Sequence, residues 1–248
     1  MIKVISLGWG VQSFTLAAMV ALGEFEWVDY AIHADTTHES LLTYQFAERW
    51  AGWLEEHGVK VVTITDKKRP DPLETYGHVA IPTFIAQGGM SNRQCTDHWK
   101  KHPIRRWLQA NRNGEQVEQW LGISLDEFQR MRQSDVKYIA NRYPLIEKRM
   151  TRADCVKWLQ EHDLEVPPKS ACTFCPFHSN AEWRRIKATP QDWAEAVEVD
   201  RAVRKEYPPH DLFLHSSRKP LEEVDLRTPE EKGQLSLWDN ECSGICGV

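Results

Sequence analysis

No apolar run in the 248 residues approaches the roughly 20 needed to span a bilayer, so no membrane-spanning helix is expected. Nor is there a basic leader pattern: the first residues, Ile2-Lys3-Val4-Ile5, read as a strand, and the expected location is cytoplasmic. Cysteine is sparse. Six in a chain of this length are too few for a secreted disulfide scaffold, so clustered thiols are better explained by metal binding or catalysis. A net charge of −5 argues against indiscriminate coating of nucleic acid and leaves room only for a local basic groove. Internal repeats and low-complexity segments are absent, as are the G-x-G-x-x-G and G-x-x-x-x-G-K phosphate loops. With 41% hydrophobic and 27% charged residues, the chain is expected to fold as a globular protein with a sizeable core. Most of its eleven tryptophans are expected to line core or grooves.

What is present begins with an apolar, β-branched run at residues 2–6. It leads through Ser6-Leu7-Gly8-Trp9-Gly10-Val11-Gln12-Ser13 into a helical pattern that stops at Gly23. A small-residue loop opening a helix gathers free backbone N–H groups, which favours a phosphate there; an ordinary tight turn has the same look. A second strand, Val28 to Ala34, runs into Asp35-Thr36-Thr37-His38-Glu39. A helix carrying Leu42, Phe46, Trp50 and Trp53 follows to Gly58, and then a strand from Val59 to Thr65. Two strand-helix-strand crossovers predict an α/β fold, a Rossmann-like parallel sheet flanked by helices, with ligands beyond the carboxyl ends of the strands. Residues 67–94 are irregular, with the basic run Lys67-Lys68-Arg69 and Gly88-Gly89, and suit a loop or lid. Residues 115–134 read as helical from Leu121, Leu125, Phe128 and Met131, and 138–146 hold a short strand. Helices are expected after Thr151, after the Ser179–Glu182 capping box, and from Gln191 to Glu206. The division read from this is a nucleotide-binding domain at 1–150 and a helical, cysteine-bearing C-terminal region at 151–248.

The thiols are distributed suggestively. Cys172-Thr173-Phe174-Cys175 is a C-x-x-C pair, whose two-residue spacer lets both thiolates face one metal; alone it is half a site. A small structural zinc turn and a reduced, metal-free pair remain open readings. Cys95 sits in the cation-rich stretch Arg93 to Trp107, where positive charge lowers a thiol pKa and attracts anionic groups. Cys242 and Cys246 lie in a Gly-containing tail, whereas Cys155 falls on the apolar face of its helix and is expected to be a packed core thiol.

This order of elements resembles the sulfonucleotide (phosphoadenosine phosphosulfate) reductase family, within the adenine-nucleotide alpha-hydrolase-like, PP-loop superfamily. Trp9-Gly10-Val11-Gln12-Ser13 stands where those reductases have an aromatic-Gly-aliphatic-Gln-small pattern. ATP pyrophosphatases have S-G-G-x-D-S there, and Gln12 replaces their aspartate. Asp35-Thr36-Thr37-His38-Glu39 is similar to a D-T-G-x-x-x-x-E-T region, with Thr37 in place of glycine. Cys95 with Lys100 and Pro103 to Arg106, the pair Cys172 and Cys175, and the tail Glu241-Cys242 or Cys246-Gly247-Val248 resemble the cysteine segments of the cluster-bearing branch.

The resemblance implies an iron-sulfur enzyme of sulfur metabolism. Ser6, Gly8, Gly10, Gln12 and Ser13 would hold phosphate, Asp35 and Thr36 the ribose or adenine edges, and Arg93, Lys100, Arg105 and Arg106 the anionic end. Cys95, Cys172, Cys175 and Cys242 would carry a 4Fe-4S cluster, with Cys246 as nucleophile; the roles of Cys242 and Cys246 can be exchanged, and a three-cysteine cluster is compatible. An external thiol protein such as thioredoxin would release sulfite. Two other readings stay open. One is ATP- and magnesium-dependent adenylation and sulfur transfer to a nucleic acid or metabolite. The other is a zinc-stapled nucleotide or nucleic-acid binding module without catalysis. A tail that closes its own site or that of a second copy in a homodimer is equally allowed.

Overall fold

The computed structural model describes residues 1–65, 80–206, 211–228 and 231. In chain order its elements are β1 (Ile2–Ser6), α1 (Val11–Ala21), β2 (Tyr30–Asp35), α2 (Leu41–Glu56), β3 (Val61–Thr65) and β4 (Phe84–Ile85). A π-helical turn, Asp97–Lys101, enters α3 (His102–Asn111), followed by β5 (Val117–Leu121), a 3-10 turn (Leu125–Arg130), β6 (Ile139–Arg142) and α4 (Pro144–Glu147). Then come α5 (Arg152–Glu161), α6 (Asn180–Ala188), α7 (Pro190–Glu206), β7 (Leu212–Phe213) and a last 3-10 turn (Leu221–Glu223). The chain divides into two compact units, Met1–Lys67 with Asp97–Ser170 and Lys68–Thr96 with Ala171–Val248, so residues 151–170 belong to the first.

The first unit is built on a five-stranded parallel sheet in the order β3-β2-β1-β5-β6. β1 is its axis, pairing with β2 on one edge (Ile5 opposite Ala31) and β5 on the other (Ile5 opposite Trp120). The alternation of a strand explains the two cores. Ile5 points with Phe14, Leu16, Phe46, Trp120 and Leu159 into the larger one, whereas Val4 joins Ile32, Ile104, Leu108 and Ile139 on the opposite face. α1 has little polar surface, with Val11 and every residue from Phe14 to Val20 buried, and each large apolar side chain removed from water contributes about 1.5–3 kcal/mol. Burial therefore holds the mouth of the β1–α1 loop in place.

The α/β parallel sheet flanked by helices is as expected from the sequence. The stretch 115–134 is not. It forms β5 and a 3-10 turn in place of a helix, and Leu125, Phe128 and Met131 are exposed (37%, 61% and 39%). Their helical spacing was coincidental; Val117 and Trp120 are buried between two neighbouring strands, and Gly122 ends the strand. The expected core thiol Cys155 is fully buried, and burial pushes its pKa up to about 12. The Thr151 cap is present as a capping box with Asp154.

The second unit holds a two-stranded antiparallel ribbon of β4 and β7 with α6 and α7. The predicted capping box is present, Ser179 and Glu182 each bonding the other's backbone N–H. Trp183 is fully buried, 4.8 Å from the His178 ring. The buried Asp200 carboxylate accepts from Leu214 N (3.3 Å) and Leu221 N (2.9 Å) and pairs with Arg204 (3.3 Å), tying the chain after β7 back to α7. No described helix is long and apolar enough to cross a membrane.

Candidate functional site

With strands running outward from β1 in both directions, the order places the topological switch between β1 and β5. A crevice between diverging loops forms at the carboxyl ends of such a pair, where ligands of open α/β sheets bind. Two loops meet there. Leu7 N donates to Ile32 O (2.8 Å), extending the β1–β2 ladder by one residue. Gly8 N then donates to Ser13 Oγ (3.2 Å), and Ser13 Oγ donates to Gly10 O (3.2 Å), so the hydroxyl staples the loop from within. Gly10 is the N-cap of α1 and has no side chain to cap the helix, whose first turn also carries no acidic residue. The positive end of the helix dipole and its free N–H groups thus meet at the switch point.

From the other side comes Gly122, just past β5. A Cβ there would stand 2.7 Å from both Ser13 N and Ser13 Cα and 3.0 Å from the Gln12 carbonyl carbon, so only glycine fits against the first turn of α1. The Gln12 side chain reaches the turn beyond it. Its Nε2 donates to Ser124 Oγ (3.4 Å) and Glu127 Oε2 (3.3 Å), and its Oε1 accepts from Arg152 Nη1 (2.9 Å).

The two loops after β1 and β2 share backbone strain. Trp9 and Thr37 are both left-handed, at φ 56° and 57°, a conformation costing an ordinary residue about 1–2 kcal/mol. Packing holds Trp9: it is 1% exposed, among Phe14, His33 and Phe46 at 6.2–6.3 Å, and its indole Nε1 has no partner among the described residues. Thr37 is exposed. Thr37→Gly keeps the N–H that bonds Asp35 Oδ1 and relieves a β-branched residue from this region. After the entropy cost of added glycine, a gain of about 0.5–1 kcal/mol is expected as a higher Tm in thermal melts.

A buried polar cluster lies under these loops. The Glu39 side chain is 1% exposed and accepts from Lys100 Nζ (3.1 Å), with Thr36 Oγ1 at 3.4 Å. Ser170 Oγ lies 2.5 Å from Gly8 O and 3.3 Å from Glu39 Oε2; its single proton goes to the nearer carbonyl. Ser170 is thereby tied to the loop after β1 and stands beside Glu39, after β2. His33 Nδ1 is 3.0 Å from Leu7 O, and since a carbonyl only accepts, the neutral ring carries its proton on Nδ1. Burial lowers the His33 pKa, against the opposing charge of Glu39. The unfolded chain then binds the proton more readily, so His33's contribution is present above the unfolded value of 6.5 and is lost as pH falls below it. Denaturant midpoints should drop between about pH 7 and pH 5, with a shallower drop in His33→Asn.

Of the residues singled out in the sequence, Ser6 ends β1, and Gly8, Gly10, Gln12 and Ser13 form the loop and first turn just described. Asp35 is engaged with its own surroundings, accepting from Thr37 N (2.7 Å), Tyr44 Oη (2.8 Å) and Thr65 Oγ1 (3.3 Å). Thr36 and Lys100 meet at Glu39. Arg105 pairs with Asp135, and Arg106 is exposed on the same helix. Arg93 belongs to the second unit, its guanidinium 5.5 Å from the Phe177 ring. Gly122, Ser124, Glu39 as a partner of Lys100, Ser170 and Arg152 were not anticipated. Gly122 follows a strand that the helical reading of 115–134 conceals, so no sequence signal marked it.

Cys95, Cys172 and Cys175 are all part-exposed in the second unit. Cys175 N donates to Cys172 O (3.0 Å), closing the expected tight turn, and His178 Nε2 donates to the same carbonyl (2.9 Å). Such a turn suits a two-thiolate bite. Among the described residues, however, no three His, Cys, Asp or Glu side chains are grouped closely enough to hold a metal. Cys242 and Cys246, expected as a further ligand and a nucleophile, lie outside the described residues, as do Lys67-Lys68-Arg69. An open groove of about 650 Å³ in this unit is lined by Trp193, Val197, Glu198, Arg201 and Glu222.

No family model and no curated relative matches the chain. Among the solved structures that do is phosphoadenylyl-sulfate (PAPS) reductase from Candida auris in its phosphate complex, at 15% identity and a TM-score of 0.46, covering 67% of this chain and 75% of that one.

Proposed function

We propose that the chain is an adenine-nucleotide-binding enzyme that reduces a sulfonucleotide through a cysteine thiolate. The observation that carries the nucleotide part is the β1/β5 switch point, where the uncapped first turn of α1 is pressed against Gly122. Phosphate would be met there by backbone N–H groups of the Gly8–Ser13 loop. Lys100, held at the rim by Glu39, would face the anionic end. The reaction class rests on the sequence resemblance and on the supply of thiols.

In the step proposed, the Cys246 thiolate attacks the sulfur of the sulfo group. An S–S bond forms, the S–O bond to phosphate breaks, and the nucleotide leaves with the electron pair on its phosphate oxygen. A second thiol then attacks the Cys246 sulfur and releases sulfite; the two electrons come from the thiols, and an external dithiol protein of the thioredoxin kind restores them. Cys172 and Cys175 would be two ligands of a 4Fe-4S cluster or a zinc ion, and no step above passes through that metal.

The side chain of Gln12 favours this reading over ATP-dependent adenylation. Its amide faces the Glu127 carboxylate at 3.3 Å, where the aspartate of a magnesium-ATP loop would meet like charge. Incubation with adenosine 5′-phosphosulfate or its 3′-phosphorylated form, a dithiol donor and no ATP should release sulfite. Pyrophosphate released from ATP, with no sulfite, would instead establish the adenylating reaction.

A further inference from the structure

Arg152 opens α5 and is exposed, yet its guanidinium has no carboxylate partner among the described residues. Other arginines of the same unit do: Arg49 pairs with Glu165, Arg105 with Asp135 and Arg142 with Glu147. Arg152 is held by a neutral group, donating from Nη1 to Gln12 Oε1 at 2.9 Å. The orientation of that amide is not arbitrary. Glu127 Oε2 can only accept, so the NH2 of Gln12 must face it, and Oε1 must face Arg152, which can only donate. Gln12 is the second residue of α1, the turn whose free N–H groups define the proposed phosphate position. Its backbone is pinned by Gly122, and Ser124, fully buried, fixes the far end of its side chain. A guanidinium keeps five N–H donors on a planar fork, of which one is used on Gln12, while the backbone N–H of Arg152 donates to Asp126 Oδ1 (3.0 Å).

Resting on the nucleotide reading above, we propose that Arg152 is a ligand-contacting arginine that takes a phosphate oxygen at the first turn of α1. Gln12 is its positioning residue. Gln12 thereby acts by turning a cation toward the anion rather than by touching the ligand.

Calorimetric titration with adenosine 3′,5′-bisphosphate and with uncharged adenosine tests this. Arg152→Ala should weaken bisphosphate binding by about ten- to a hundredfold, the worth of a charged hydrogen bond, and leave adenosine unchanged. Arg152→Lys should recover part of the loss, and Gln12→Ala should show a smaller loss of the same charge-selective kind. Arg49→Ala, as a surface control, should change neither. Equal bisphosphate affinity in wild type and Arg152→Ala would overturn the role of Arg152 while leaving the nucleotide reading intact. Parallel losses for both ligands would also overturn it, by showing a structural effect. Failure of the wild type to bind either ligand would overturn the nucleotide reading and this role together.

Discussion

Gly122→Ala should abolish nucleotide binding and lower stability by about 2–3 kcal/mol, the upper range for forcing a methyl into packed structure. The added Cβ would meet Ser13 N and Ser13 Cα at 2.7 Å, both backbone atoms, so no side-chain rotation relieves the clash. Either the turn after β5 lifts away or the first turn of α1 tilts. Lifting breaks the bonds from Gln12 to Ser124 and Glu127; tilting misaims the free N–H groups of the helix. Equilibrium denaturation with nucleotide titration separates the two effects, because Gly122→Ala should still melt cooperatively under conditions where it no longer binds. A variant with wild-type stability and affinity would show that the close approach has no functional weight.

Lys100→Met should be the most destabilising single-charge change at the site. It leaves the buried Glu39 without the cation it pairs with, and breaking a buried pair from one side typically costs about 3–5 kcal/mol. Lys100 is itself 39% exposed, so water screens part of the pair and about 2–3 kcal/mol is expected. Because the cost comes from an uncompensated carboxylate, Lys100→Met/Glu39→Gln should recover much of it. A double-mutant cycle in urea checks this, with a coupling energy near zero as the contrary outcome. Neither variant should bind nucleotide as well as wild type, since both remove the rim cation.

The parts of the fold legible in the sequence were those set by local pattern. β1, the Gly8–Gly10 loop and α1 follow one another with no gap, and the cap at Thr151 and the capping box at Ser179 announced α5 and α6. β5 was hidden because Leu121, Leu125, Phe128 and Met131 happen to fall at helical spacing, whereas the burial that makes Val117–Leu121 a strand comes from β1 and β6. Within the site, the Gly8–Gly10 loop could be found from its small side chains, whereas Gly122 could not. The left-handed backbone of Thr37, at φ 57°, was not legible, because threonine is a residue type that rarely adopts it. Contacts between distant segments were not legible: Glu39 with Lys100 and Ser170, Gln12 with Arg152, and Gly122 with Ser13 each join residues whose meeting depends on the completed sheet.

The proposed position of an anionic nucleotide, at the β1/β5 switch point on the first turn of α1, is tested by amide chemical-shift mapping of the 15N-labelled chain during titration with adenosine 3′,5′-bisphosphate. The largest changes should fall on Gly8 to Ser13 and Gly122 to Ser124, with the Arg152 side-chain signal moving at the same ligand concentration. Saturable changes confined to the α7 groove around Trp193 and Arg201, with the amides of Gly8 to Ser13 unmoved, would contradict it.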